Sequence, residues 1–410
     1  MAPNETDDTT TAGEVEEPRA GRRRAARYIV PVTVMGVAAA TIGLVPALAD
    51  SGDPDLPDIT AAQLIEKIAQ SDVERLSGTV KITTDLGLPD LGGLESGLLS
   101  GAAGGEGGEG GSSADPSGRL TELASGTHTL RVAADGPDRQ KLSLLENAAE
   151  YSLIHNGKDV WGYDSASNEV YHATVDEADT KERSAQRPPA TPKDFAEEAL
   201  KAVDDTTSVK VDGTAQVAGR DAYRLVVEPK QSGSTVGAIS IAVDHETGMP
   251  LKFTLTPAGG GSAVVDVGFT KVSFDRPDAS TFRFTPPKGA KVTEDTEQDR
   301  AHGGFGGKPE RGPKPEEDLA KGLDGLRMLG EGWNTVATFD TGTGAGLPTE
   351  EAGGDLGGFL GSLGDQVKGD FGKGTVFSTR LVNALITEDG TVYVGTVTKD
   401  ALVKAAEAGK

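Results

Sequence analysis

Between residues 77 and 285 apolar and polar positions alternate in short runs, the two-residue period of half-buried strands. Val80, Ile82 and Leu86 alternate with Lys81 and Thr83, and the pattern recurs at Leu130 and Val132, Leu142 and Leu144, Tyr151 and Leu153, Val160 with Trp161 and Tyr163, and Val170. A second set contains Val209 and Val211, then Tyr223, Leu225 and Val227, then Ile239, Ile241 and Val243, then Leu251, Phe253 and Leu255, and finally Val265, Val267 and Phe269. Asn156-Gly157, Asp212-Gly213, Ala218-Gly219 and residues 244–248 supply turn chemistry between them. The pattern predicts a meander of antiparallel hairpins, because the gaps leave no room for the crossover helices of a parallel sheet.

Two helices are predicted among these strands. Thr60 and Gln63 form a capping box ahead of Leu64, Ile65 and Ile68, with Ile59 and Leu64 placed as a hydrophobic staple. Thr191 caps a second helix over residues 192–203, with Pro192 at its first position and Phe195, Ala199, Leu200 and Val203 on one face. Two short helices cannot cover the apolar face of about ten strands, so the sheet must close on itself, pair with a second sheet, or keep an apolar hollow for a ligand.

Composition narrows the choice. Of 410 residues only 36% are hydrophobic and 56 are glycine, so the packed core is smaller than the length suggests. A net charge of −24 argues against nucleic acid as a partner. The basic cluster at residues 19–27 precedes an apolar stretch, residues 28–48, after which aspartates follow. This polarity places the leader, residues 1–27, in the cytoplasm as a disordered segment whose first 18 residues are acidic and polar, and everything beyond Ala49 outside it. The stretch reads either as a single membrane anchor or, through Ala47-Leu48-Ala49, as the apolar part of a signal cleaved after Ala49. With no cysteine, the exported part has no disulfide and relies on packing alone.

Low-complexity stretches divide the remainder. Residues 88–118 form a glycine, serine and glutamate tract expected to be a disordered insertion in a hairpin. Gly105, Gly107 and Gly110 in it have dinucleotide-loop spacing, but no strand leads in and no helix follows, so no cofactor is implied. Residues 295–315 form a linker. Beyond it, residues 316–410 predict a small α+β segment: a helix over 316–329, a strand over 333–339, a hairpin of 376–386 with 392–397, and a terminal helix over 400–408.

Three stretches carry a family resemblance: Asn156-Gly157-Lys158-Asp159-Val160-Trp161-Gly162-Tyr163-Asp164; Val217 to Leu225 followed by Val243 to Lys252; and Thr281-Phe282-Arg283-Phe284-Thr285-Pro286-Pro287-Lys288-Gly289-Ala290-Lys291-Val292. In order and spacing they resemble the LolA family of lipoprotein carriers and the RseB/MucB regulators that share its fold, over residues 59–294. The resemblance implies a mainly β (α+β) domain: an incomplete antiparallel β-barrel with helices covering an apolar cavity that receives acyl chains. It makes an exported binding protein for a lipid or acylated lipoprotein the first expectation. The alternative is an envelope-stress sensor that binds a membrane anti-sigma partner.

By alternation alone Trp161, Tyr163, Tyr151, Phe253 and Phe269 read as core of a packed sheet or as the wall of a hollow. The resemblance makes them cavity-lining, together with Leu130 and Val132, and leaves Arg131 and Arg139 as candidates for a polar cavity residue. Catalysis is not indicated. The five histidines are not paired at metal-ligand spacing, and no Gly-x-Ser-x-Gly elbow marks a nucleophile. Asp244, His245 and Glu246 could clamp a cation, but a turn whose carboxylates bind backbone donors explains them better.

Overall fold

Twelve strands hydrogen-bond side by side into one open sheet in the order β12-β6-β5-β4-β3-β2-β1-β11-β10-β9-β8-β7. The computed structural model describes residues 53–87, 112–116, 119, 123, 125–174, 190–294, 327–340 and 364–409. The leader, the apolar stretch 28–48 and the linker 295–315 lie outside these residues. Among the described residues no helix is long and apolar enough to cross a membrane. From Pro54 onward the chain belongs to one compact unit.

The sheet is two meanders joined at a seam. The first comprises β1 (Arg75–Thr84), β2 (Gly126–Asp135), β3 (Arg139–Leu145), β4 (Glu150–Asn156), β5 (Asp159–Asp164) and β6 (Glu169–Thr174). The second comprises β7 (Thr207–Val217), β8 (Arg220–Pro229), β9 (Val236–Asp244), β10 (Pro250–Pro257) and β11 (Val265–Ser273), and β11 pairs antiparallel with β1. β12 (Lys291–Glu294) then runs parallel to β6. The outermost strands β7 and β12 do not pair with each other, so the barrel is incomplete.

Local chemistry sets the turns. Ala218 and Gly219 both take positive φ, 53° and 78°, as a two-residue β7–β8 turn requires. Asp212-Gly213, predicted as a turn, instead forms a bulge inside the eleven-residue strand β7, where Gly213 adopts φ 78° and the register with β8 slips between Val211 and Thr214. A further bulge lets Thr79 face Lys271 while Val80 faces Phe269.

Helices α1 (Ala61–Ala69) and α2 (Pro192–Lys201) pack on one face, here the inner face. Both capping boxes form: the Gln63 N–H donates to Thr60 Oγ1 at 3.2 Å, and the Thr191 N–H donates to Asp194 Oδ2 at 2.9 Å. Leu64 and Ile68 of α1 and Ala196 of α2 enter a core with Tyr223, Leu225, Val227, Ile239, Ile241, Val243 and Phe253.

The C-terminal segment forms its own six-stranded sheet, in the order β13 (Arg327–Leu329), β14 (Val336–Asp340), β18 (Thr391–Gly395), β17 (Asn383–Thr387), β16 (Gly372–Ser378), β15 (Asp365–Gly369), with α3 (Lys399–Ala408) packed on it. Arg327–Leu329, predicted as the end of a helix, is a strand, and the rest of that helix lies outside the described residues. The expected strand over 376–386 is broken at residues 379–382, where the Thr379 N–H donates to the Val382 carbonyl at 2.9 Å. The second sheet joins the first through backbone bonds, Thr235 N–H to Thr396 O and Arg380 N–H to Leu86 O, both 2.9 Å.

Candidate functional site

Strand register sorts the candidate residues onto two faces. Across β11, β1, β2, β3 and β4 one lateral row reads Phe269, Val80, Leu130, Leu144, Tyr151. With Val132 it belongs to the inner core cluster. Leu130 has no exposed surface and Tyr151 only 2%, so no water-sized void touches Leu130 and the aromatic ring is packed. Phe253 joins the same inner face, its ring 5.2 Å from Phe195 of α2. These five candidates share one face of the sheet, Leu130, Val132, Tyr151 and Phe269 in one core cluster and Phe253 in the neighbouring one beneath the helices.

Trp161 and Tyr163 do not belong to that surface. Their row runs Tyr163, Ser152, Ser143, Arg131, Thr79, on the outer face. Trp161 stacks on His172 at 3.8 Å, and the Phe284 ring lies 5.5 Å from Trp161 and 5.6 Å from Tyr163. The segment resembling a closing strand is a 3-10 turn, Ala279–Phe282, followed by a strap over this face, with Phe282 1% exposed. The expectation that both aromatics line the cavity is therefore corrected: the strap covers them.

The inner face of β4 to β6 is covered by residues from the end of the glycine-rich tract. Ala114 is fully buried against Tyr171 and Ala173, and its carbonyl accepts from the Tyr151 hydroxyl at 3.1 Å. A Cβ at Gly162 would stand 2.3 Å from that carbonyl, which is why glycine occupies this position between two aromatics. Residues 112–116 thus pack, unlike the disordered loop predicted there; residues 88–111 lie outside the described ones. Burial pushes the Tyr151 phenol pKa well above its ordinary value, and Asp115 nearby adds to the shift.

Polar clasps fasten this cover. Ser113 N–H and Ser112 Oγ donate to Glu169 at 2.9 and 3.1 Å, and Ser113 Oγ meets Ser167 Oγ at 2.6 Å. Lys291, followed by these serine donors, holds the Glu169 pKa down to about 2. Arg119 pairs with Asp164 and, at 3.2 Å, with Glu146. Burial opposes ionisation of Asp164, but Arg119 and the Ser167 and Ala166 N–H groups outweigh it and leave its pKa below the usual carboxylate range. Under the cover Leu142, Leu153 and Val160 remain only half-buried.

The two candidate arginines separate. Arg139 binds Asp135 at 2.7 Å, where Arg75 and Arg276 also converge at 3.4 and 3.1 Å, so it is one of three cations pinning a 4%-exposed carboxylate. Arg131 stands in an outer-face groove, 3.9 Å from Glu150. Asp244, considered for a cation clamp, is fully buried and occupied: it accepts from the Thr247 N–H at 2.8 Å and pairs with Arg220, which lies over Phe274 at 4.7 Å. Sequence periodicity could not find the cover, because residues 112–116, 119 and 123 carry no strand or helix pattern.

No family model matches the chain, and no curated protein does. Among solved structures it is similar to the Pseudomonas aeruginosa MucA/MucB complex, at 15% identity over 84% of this chain and 96% of the matched chain, with a TM-score of 0.37. It is also similar to a LolA superfamily protein from Nitrosomonas europaea, at 11% identity over 55% of this chain and 99% of that one, TM-score 0.21. A putative outer membrane lipoprotein-sorting protein domain from Vibrio parahaemolyticus matches at 12% identity over 55% and 96%, TM-score 0.22. Function therefore has to be sought in the side chains.

Proposed function

We propose that this chain is an exported binding protein of the cell envelope that takes the acyl chain of a lipid or lipoprotein onto its inner sheet face, beneath the cover to which residues 112–116, 119 and 123 belong. The observation that carries this reading is the contrast between the cover's fastening and what lies under it. Ser112 and Ser113 hold the edge of the cover by polar contacts to Glu169 that water can replace at small net cost, with the Arg119–Asp164 pair as the firmer tie. Beneath are Tyr151, Leu142, Leu153, Val160, Tyr171 and Ala173, whose exposure costs roughly 25 cal/mol per Å2 and so favours an apolar occupant.

The test exploits the absence of cysteine. Ser113→Cys with Ser167→Cys places two thiols where the hydroxyls stand 2.6 Å apart and forms the chain's one disulfide. The oxidised variant is expected to lose uptake of a fluorescent fatty acid and to regain it on reduction. Uptake at wild-type affinity in the locked state would sink the proposal.

A second reading, a regulator that binds a membrane protein of anti-sigma type, draws on the C-terminal sheet, whose core is separate from the inner-face core. Affinity capture of the full chain from envelope membranes that recovers no stoichiometric membrane protein counts against it.

A further inference from the structure

The outer face of β11, β1, β2 and β3 holds a groove of about 440 Å3 whose lining includes Ser77, Thr79, Arg131, Lys141, Ser143 and Lys271. Register fixes its layout. Lys271, Thr79 and Arg131 stand in one lateral row on adjacent strands, and Lys141 stands opposite Ala133 on β3. With strands about 4.8 Å apart, the two cations of the row flank the Thr79 hydroxyl at about 10 Å from each other, within reach of one small group between them.

The charge is unusual for this chain. Arg131, Lys141 and Lys271 against the single acid Glu150 leave the groove net positive in a protein whose net charge is −24. Several cations elsewhere on the sheet are matched, as Lys210 with Glu228 at 3.1 Å, Lys252 with Asp266 at 3.0 Å and Arg224 with Asp212 at 3.5 Å, and what sets the groove apart is that three cations converge on it. Lys141 and Lys271 make no ion pair among the described residues. The one acid, Glu150, accepts from Ser152 Oγ at 2.9 Å, and Ser152 bonds in turn to Ser143, 1% exposed, at 2.8 Å, so the groove floor is a hydroxyl network already turned toward that carboxylate. Its contact with Arg131, at 3.9 Å, is too long for a hydrogen bond and leaves the guanidinium's donors available.

We infer that this groove binds a phosphoryl group. Three unmatched or loosely matched cations from three strands, with hydroxyls between, suit a ligand carrying close to two negative charges and acceptor oxygens in several directions. The guanidinium supplies paired donors and the ammonium groups supply point charges. The group can arrive on a phospholipid head or on a soluble phosphate ester, and both present the same chemistry. The site lies on the face opposite the acyl surface and does not depend on it.

Titrating the full-length chain with glycerol 3-phosphate and with dihexanoyl phosphatidic acid, beside glycerol as the neutral control, tests the inference. At least one phosphate probe is expected to bind saturably and glycerol not at all. Arg131→Gln, Lys141→Gln and Lys271→Gln are each expected to weaken binding about twofold to fivefold, and the triple variant about tenfold or more, without lowering the melting temperature. Binding of glycerol 3-phosphate supports a site for soluble esters; binding of phosphatidic acid alone, lost in the triple variant, supports a headgroup site. Failure of both probes, or binding that the triple variant retains, overturns the inference. The oxidised Ser113→Cys, Ser167→Cys protein should bind the phosphate as before, which separates this site's failure from that of the inner face.

Discussion

The Tyr151 hydroxyl donates to the carbonyl of Ala114 at 3.1 Å, joining the buried middle of the sheet to a residue 37 positions earlier. Tyr151→Phe keeps the ring packing and deletes this bond, leaving a buried carbonyl without that donor. The expected cost is about 1 kcal/mol in urea denaturation, with faster proteolysis at residues 112–116. Unchanged proteolysis would show that the bond does not hold the cover.

Gly162→Ala acts on the same contact from the other side. The new methyl group would sit 2.3 Å from the Ala114 carbonyl, so the cover must shift. Fatty-acid uptake is expected to speed up, opposite in sign to the disulfide lock. Stopped-flow fluorescence reads the difference.

Asp164 makes stability pH-dependent. The folded state holds its pKa below the unfolded value, so its stabilisation is complete above about pH 4 and is lost as pH falls through the folded pKa. Asp164→Asn is expected to flatten the acid limb of the melting-temperature profile. Arg119→Met, which strands a carboxylate 3% exposed, is expected to cost about 3 kcal/mol at pH 7.

Charge placed on the two faces separates their roles. Leu130→Glu buries a carboxylate with no partner and is expected to cost about 4 kcal/mol or more, seen as loss of the cooperative melt. Trp161→Glu removes the stacking on His172 and loosens the strap, at about 1–3 kcal/mol, with fatty-acid affinity unchanged. Loss of uptake in a folded Trp161→Glu protein would return that residue to the acyl site.

Deleting residues 93–110 is expected to change stability by less than about 1 kcal/mol, because loop closure depends only logarithmically on length. Extending the deletion through residue 116 removes the Ser113–Glu169 and Ala114–Tyr151 bonds and is expected to lower the denaturation midpoint clearly.

Most elements could be read from the sequence because their signals are local: Thr60 with Gln63 and Thr191 with Asp194 start helices within four residues, and Ala218-Gly219 turns a hairpin by itself. Facing was harder to read. On β5 the large residues, Trp161 and Tyr163, point outward because a strap carrying Phe284, far along the chain, covers them, while inward-facing Gly162 is small because Ala114 needs the space. Alternation reports two faces but not which distant segment each will meet. The groove escaped notice for the same reason: Lys271, Arg131 and Lys141 become neighbours only through pairings of β11, β1, β2 and β3.

Arg380 of the second sheet reaches the first, where its guanidinium meets the Asp85 carboxylate and the carbonyls of Asp85 and Ser262. It does not act alone: Trp333 Nε1–H donates to Thr207 Oγ1 at 2.8 Å, the Thr398 N–H donates to the Gly233 carbonyl at 2.7 Å, and Trp333 and Leu381 pack against the core that holds Leu64 and Phe253. Because the chain from Pro54 onward is one compact unit, a single cut between the two sheets is expected to leave them associated, so the second sheet behaves as a part of the first domain and not as a releasable module.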